Sequence, residues 1–344
     1  MEELLKLRGK RVLVLGVGGG GDVASAYLIY SWLEALGARA WLGGVAWERF
    51  PIDPQPGPIS LSELSPVKPL SKGLGWAFSS TIAKRGARLV RPQVARIAKL
   101  VGGRALAVDL WLGPARLAEE LREAAGRLKL SSVVGVDVGG DALAKGPEGG
   151  LWSPLADQVM LACLAKLKEA GHEALLAVHG LGVDGELDVG YLVRRLGEVA
   201  AAGGYLGAVG MGRDGAEALR RALSMVVTES SALTLEAFRG VAEARPLRWA
   251  TRRAKLSVLS SLTFLLDPLK VFELSPMARS MAGAASLKEA NERLHELGVY
   301  TELDLERDLY EVWRVKGRVG RADVLAARRE GLRRLREARA EPRG

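Results

Sequence analysis

What most constrains this chain is a repeated junction: a short, unbroken apolar run stops at a glycine-rich, acid-bearing loop, and a segment of helical period follows. Residues Arg11 to Gly16 (RVLVLG) have strand length, Gly18 to Gly21 and Asp22 interrupt them, and from Ala24 to Leu36 apolar residues recur at helical spacing. Gly37 is the expected helix stop, and a second strand, Ala38 to Val45, follows directly. Strand, loop, helix and strand make one right-handed crossover, the opening of a doubly wound sheet. From Pro51 to Pro69, prolines 51, 54, 56, 58, 66 and 69 argue against regular structure and predict a long ordered loop or lid.

The alternation then resumes. Helix is predicted over Pro92 to Leu100, strand over Ala105 to Leu110, helix over Pro114 to Leu128 and strand over Ser132 to Val138. A loop from Gly139 to Pro154 leads into a helix over Leu155 to Ala170 and a strand over Ala174 to Val178. Helix Val189 to Ala202, strand Tyr205 to Val209 and helices Gly215 to Met225 and Leu233 to Val241 complete the series. This pattern predicts an α/β fold, a Rossmann-like and mostly parallel sheet with helices on both faces. We expect one α/β domain over 1–275 and a helical, charged region over 276–344 that ends in an Arg-rich tail.

Composition narrows the function classes. The 344 residues are 48% hydrophobic and 26% charged, enough to bury a substantial core. No apolar run approaches the roughly 20 residues of a membrane helix, and Met1, Glu2 and Glu3 do not open a signal segment, so a cytoplasmic protein without a membrane partner is expected. A lone cysteine, Cys163, and scattered histidines (172, 179 and 295) argue against disulfides and against a thiolate or histidine metal site, which leaves oxygen ligands for any metal. Asn stands only at 291 and Gln only at 55, 93 and 158, the amide depletion expected of a thermophile, for which a homo-oligomer is an ordinary state. The net charge of +9 favours an anionic ligand.

The loops carry the chemistry. Gly16, Gly18 and Gly21 fit G-x-G-x-x-G superficially, but a dinucleotide site wants an acid at the end of the second strand, where Gly43-Gly44-Val45 stands instead. Asp22 would also crowd a pyrophosphate, so NAD(P) is disfavoured. A phosphate-binding loop and a structural turn capped by Asp22 both remain open. Glu48 and Arg49, beside the proline loop, suit a polar ligand or a mutual ion pair. Asp137-Val138-Gly139-Gly140-Asp141 repeats the strand-to-glycine junction between two acids, and Ser153 and Asp157 open the next helix. Asp184 and Glu186 follow His179-Gly180-Leu181-Gly182, and Thr228-Glu229 follows another apolar run.

Asp22, Glu48, Asp137, Asp141, Asp184, Glu186 and Glu229 thus lie at strand ends, which in a parallel sheet share one rim. Carboxylates that meet require Mg²⁺, basic neighbours or protons; carboxylates that merely cap helices never meet. On the first reading, Asp137, Asp141 and Asp184 hold a metal and Glu186 and Glu229 do acid–base work. Gly18, Gly19, Gly20, Gly21, Asp22, Glu48, Arg49, Gly139, Gly140, Ser153, Asp157 and Thr228 then contact an anionic, phosphorylated or nucleotide-like small molecule. A non-catalytic binding protein would use the same rim. His179 is either a general base or an ordinary hydrogen-bonded residue, and Glu302-Leu303-Asp304-Leu305-Glu306 reads as a surface or subunit contact.

A nucleic-acid-binding protein is the contrasting alternative. Between Glu63 and Asp109 there is no acid, while Lys68, Lys72, Lys84, Arg85, Arg88, Arg91, Arg96, Lys99 and Arg104 are interleaved with Trp76 and Phe78. That stretch and the tail, where Asp323, Glu330, Glu337 and Glu341 are outnumbered by Arg and Lys, would track a phosphate backbone.

Taken in order, Gly18 to Asp22, Trp47-Glu48-Arg49 with Asp53-Pro54 and Pro56-Gly57-Pro58, Asp137 to Asp141, Ser153 to Asp157, Asp184-Gly185-Glu186-Leu187, Thr228-Glu229 and Thr301 to Asp304 resemble the archaeal and actinobacterial family called domain of unknown function 1152. The resemblance spans roughly residues 10 to 307 and implies an α/β protein with these motifs, with no reaction to transfer. Ser230 departs from the family's tendency to place Ala after Thr-Glu, and the arginine tail lies outside the pattern.

Overall fold

The computed structural model describes residues 2–50 and 52–340; Met1, Pro51 and Glu341, all used above, lie outside the described residues. In chain order the elements are α1 (Glu2–Leu5), β1 (Arg11–Gly16), α2 (Val23–Ala35), β2 (Arg39–Val45), β3 (Leu64–Pro69), β4 (Leu74–Arg85), β5 (Arg88–Val90), α3 (Gln93–Ile97) and β6 (Arg104–Val108). There follow α4 (Gly113–Leu128), β7 (Ser132–Val138), α5 (Pro154–Glu169), β8 (Glu173–His179), α6 (Val189–Ala201), β9 (Tyr205–Gly210), α7 (Gly212–Leu223) and α8 (Glu229–Phe238). The chain ends with β10 (Ala244–Leu247), β11 (Arg252–Lys255), β12 (Leu262–Leu266), α9 (Pro268–Glu273), α10 (Pro276–Met281), α11 (Leu287–Glu296), α12 (Glu302–Lys316) and α13 (Arg321–Ala340).

The heart of the ten-stranded sheet is five parallel strands in the spatial order β6-β2-β1-β7-β8. Counted along the chain this is third, second, first, fourth, fifth, the Rossmann order, and it reverses direction between β1 and β7. Strands so placed are covered on both faces, which is why they read as continuous apolar runs. Along β1, Leu13 and Leu15 enter one core cluster while Val12 and Val14 enter the other. Helix α2 packs with α7 on one face, and α4 packs with α5 on the other. Helix α5 is buried almost all round, including Cys163, as befits a central helix with apolar residues on every side. Among the described residues, no helix is long and apolar enough to cross a membrane.

Both flanks of the sheet are antiparallel, and there the sequence reading needs correction. From Ile52 the segment is irregular through Ser60, makes one 3-10 turn over Leu61–Glu63 and then forms β3, whose Pro66 and Pro69 are tolerated because β3 is the outermost strand. Residues 74–90, read above only as a basic stretch, form β4 and β5 beside it. On the other flank β12 runs antiparallel between β8 and β9, and β10 and β11 make a separate hairpin.

From Met277 to Leu303 the chain after Pro276 packs onto the core of the sheet, while Leu309, Val324 and Ala327 form a separate cluster with Trp152. Met277, Met281, Leu287, Leu294, Val299 and Leu303 belong to the same buried cluster as Leu13, Val108 and Leu161. A chain ending at residue 275 would expose the apolar surface these residues cover. We expect it to bind a hydrophobic dye strongly and to lose its near-ultraviolet circular dichroism; cooperative, native-like unfolding of 1–275 would instead establish an independent domain.

Candidate functional site

The register of the parallel strands brings the site together. Gly16 in β1 pairs with Gly44 in β2 and Val136 in β7, and Asp137 and Val138 pair with Val178 and His179 in β8, so the loops after β1, β7 and β8 leave the sheet at one level. They border a small inner chamber of about 70 Å³, lined by Gly18 to Asp22, Glu48, Arg49, Asp141, Ser153, Asp157, Asp184, Glu186, Thr228, Arg248 and Arg252 among others. It adjoins an outer chamber of about 290 Å³, and Arg49, Ser153, Thr228, Arg248 and Arg252 line both. The outer walls are otherwise mostly apolar, with Phe50, Trp152, Trp249, Leu305, Leu309 and Val324.

The carboxylates sort into two groups. Asp22, Asp137 and Asp157 each place one oxygen within 4.8 Å of the others, and so do Asp141, Asp184 and Glu186. The expected metal trio of Asp137, Asp141 and Asp184 is therefore divided between the two. Asp137 receives amides from Gly140 and Ala142 at 3.3 and 3.1 Å, so it also caps the turn that follows β7. Asp22 accepts from Gly18 N–H at 2.9 Å, and Asp184 from Glu186 N–H at 3.3 Å. Two buried oxygens, Asp141 Oδ1 and Asp157 Oδ1, accept no hydrogen bond from the described residues.

The glycines are there to let these acids close in. A β-carbon on Gly18 would fall 2.5 Å from Asp157 Oδ1 and 2.7 Å from Asp22 Oδ2, and one on Gly139, at φ +118°, would fall 2.3 Å from the Asp184 carboxyl carbon. The amides of the loop are partly spent on the protein itself: Gly18 N–H on Asp22, and Gly20 N–H on the Trp47 carbonyl at 2.9 Å.

The basic groups nearby are already engaged. Arg49 donates to the Gly18 carbonyl at 2.8 Å and lies 3.4 and 3.6 Å from Glu302 and Glu306. Arg252 pairs with Glu186, and Arg248 lies 3.8 Å from Glu229. Burial, and then mutual repulsion, holds Asp137, Asp141 and Asp157 well above the ordinary carboxylate range. Burial pushes Asp22 and Asp184 up to about 7. Glu186 is the exception: burial alone would raise it, but Arg252, the Ser153 hydroxyl and the amides of Trp152 and Ser153 outweigh burial and hold it ionised.

The remaining expected residues take distinct places. Glu48 is buried, accepts from Gln93 N–H at 2.8 Å and faces Gly20; burial raises it to about 7. Thr228 faces Gly21 at the start of α8. Glu229 is exposed, stands outside both acid groups and accepts from Arg248 N–H at 2.7 Å. Gly140 turns its N–H to Asp137. His179 is fully buried beside Thr263, 2.9 Å away, and lines neither chamber; burial lowers it to about 4, so it is neutral.

One expectation is overturned. Glu302 and Glu306 do not make a surface contact: they are 3% and 5% exposed. Glu302 accepts the Leu155 and Ala156 amides at 3.0 Å, so it caps α5 from 147 residues away and leaves the Ser153 hydroxyl to Glu186 and Asp141. Glu306 accepts from Trp47 Nε1 at 2.9 Å and from Gly57 N–H at 2.9 Å. Their spacing of four, which puts both on one face of α12, is the signal that would have found them. Arg248, Trp249 and Arg252 also reach the cleft, from the β10–β11 hairpin. Arg248, Trp249 and Ala250 are three consecutive left-handed residues at its turn.

The nucleic-acid alternative gains little from this geometry. Arg85 is buried against Asp53 and Glu63, Arg88 and Arg104 lie over Trp313 and Trp76, and Arg333 of the tail pairs with Glu330 and Glu337.

The raised acids set a pH dependence. Between the unfolded value of 3.8 and about 7, the folded protein holds protons on Asp22 and Asp184 that the unfolded chain has released. The stability from these groups is therefore fullest below pH 4 and falls as pH rises towards 7. The chelator-treated protein should melt several degrees lower at pH 8 than at pH 5, and Asp22→Asn and Asp184→Asn should each flatten that decline in calorimetry. An unchanged slope in both variants would disprove the assignment.

Compared with known proteins, residues 13–310 match the family model described as Protein of unknown function (DUF1152). No curated protein and no solved structure matches the chain.

Proposed function

Starting from the fact that the chain belongs to the DUF1152 family, we propose that its cleft binds Mg²⁺ together with an anionic, phosphorylated or nucleotide-like small molecule and catalyses hydrolysis or transfer on it. The observation that carries this reading is a wall shared by two unlike chambers. Behind it lie buried carboxylates, two of them with an oxygen that no donor among the described residues reaches; before it lies a largely apolar space of ligand size. The wall itself bears Arg49, Arg248 and Arg252. A hard cation on oxygen ligands beside guanidinium groups is the arrangement that neutralises a phosphoryl group as its charge develops.

Roles follow from the hydrogen bonds. Glu186, held ionised by its donors, suits cation binding better than proton transfer. Glu229 positions Arg248, which would meet the ligand's negative charge at the cleft mouth. The glycine loop shapes the chamber by admitting Asp157 and Asp22, and its outward face meets the ligand.

Thermal-shift measurements with Mg²⁺ and a panel of nucleotides and sugar phosphates test this, because a ligand at 100 times its Kd stabilises by about 2.7 kcal/mol. We expect the largest shift with Mg²⁺ and one phosphorylated class together. Arg248→Gln should weaken the phosphorylated ligand about 10- to 100-fold, the worth of a charge-assisted hydrogen bond, and leave Mg²⁺ binding intact. Binding without turnover would leave a ligand-binding protein, and a salt-sensitive response to RNA alone would sink the reading.

A further inference from the structure

The acid chamber holds more carboxylate than one cation needs, and it is arranged in two parts. We infer that the chamber binds two divalent cations side by side, one on Asp22, Asp137 and Asp157 and the other on Asp141, Asp184 and Glu186. This deepens the proposed function and rests on its cation.

Geometry carries the inference. Ligand oxygens around one Mg²⁺ or Mn²⁺ lie about 2.1 Å from it, so two of them stand at most about 4.2 Å apart across the ion, and somewhat further around a larger cation. Each trio already brings its oxygens within 4.8 Å of one another, so a small contraction closes either trio on an ion. The trios come from different elements. The first joins the β1 loop, the end of β7 and the first turn of α5; the second joins the turn after β7 to the loop after β8.

Each trio also has its own unsatisfied acceptor. Asp157 Oδ1 belongs to the first and Asp141 Oδ1 to the second, on residues 3% and 4% exposed. A buried carboxylate oxygen with no donor loses hydration and gains nothing from the protein, so each marks a place where positive charge completes the structure. The two oxygens belong to different trios, each with its own three-oxygen grouping.

The backbone is cleared on both sides. Gly18 leaves open the space between Asp22 and Asp157, and Gly139 the space against Asp184. Arg252 makes its direct ion pair with Glu186 and Arg49 makes its own with Glu302 and Glu306, so among the described residues no aspartate of either trio has an ion pair. Asp22, Asp157, Asp141, Asp184 and Glu186 all line the same inner chamber, so one phosphoryl group arriving past Arg49 and Arg248 would meet both ions, as in two-metal phosphoryl chemistry.

The test is a titration of the chelator-treated full-length protein with Mn²⁺ at pH 8, followed by electron paramagnetic resonance and calorimetry. Two equivalents, with the spin-coupled spectrum of neighbouring ions in place of isolated Mn²⁺ signals, are expected. Asp157→Asn and Asp141→Asn should each keep one equivalent and lose the coupling. Each removes a buried charge, and unchanged far-ultraviolet circular dichroism verifies folding. Gly18→Ala, whose methyl group would occupy the first position, gives an independent route to the same one-equivalent result. A single equivalent in the wild-type protein overturns the inference and leaves the proposed function standing. No binding of Mn²⁺ or Mg²⁺ overturns both, and shows that protons neutralise the cluster.

Discussion

Repulsion among carboxylates that have been taken out of water is the constraint around which this protein is organised. A folded chain ordinarily buries an acid only with a partner, because burial favours the neutral form and a second acid nearby favours it further. Here six acids are gathered at the point where the order of the parallel strands reverses, while of the guanidinium groups beside them Arg49 is paired with Glu302 and Glu306 and Arg252 with only one of the six, Glu186. Such a cluster opposes folding and persists because the surroundings are rigid. The parallel strands are buried on both faces, α5 is enclosed almost all round, and the loops between them are fixed by their own hydrogen bonds.

The same constraint explains which features could be read from the chain. Strand-end acids in a parallel sheet share a rim whatever their individual roles, so the convergence of Asp22, Asp137, Asp141, Asp184 and Glu186 was legible from spacing alone. Their partition was not, because it depends on side-chain direction: Asp137, only four residues from Asp141, joins Asp22 and Asp157 instead. Asp157 resembled an acid placed for the helix dipole, and nothing local showed that Glu302 had taken over the capping of α5. Antiparallel flanks escaped notice for a similar reason. The basic residues around β4 and β5 dominate the pattern although Leu74 to Ala83 is uncharged, and β12 is recognisable as a member of the sheet only through its neighbours β8 and β9.

Glycine deserves a different interpretation in this loop from the one its spacing suggests. In a dinucleotide-binding turn the missing side chains let a pyrophosphate approach the backbone. Here the groups that approach Gly18 and Gly139 are the protein's own aspartates. The loop and the acids are therefore one device: the glycines make room, and the carboxylates fill it up to the distance at which charge has to be added.

The C-terminal helices complete that device. Glu302 caps the helix that carries Asp157, Glu306 ties down Trp47 and Gly57, and Arg49 lies close to both glutamates while donating to the Gly18 carbonyl. A displacement of α12 would thus reach the first acid trio by two routes, through α5 and through the glycine loop. Helix α13 extends the linkage, since Arg328 lies over Trp152, donates to the Leu151 carbonyl and so steadies the strand of chain that leads into Ser153 and α5. What reads in the sequence as a charged appendage is, in the fold, the outer brace of the acid cluster, and a change in how it packs would be felt first as a change in the spacing of the carboxylates.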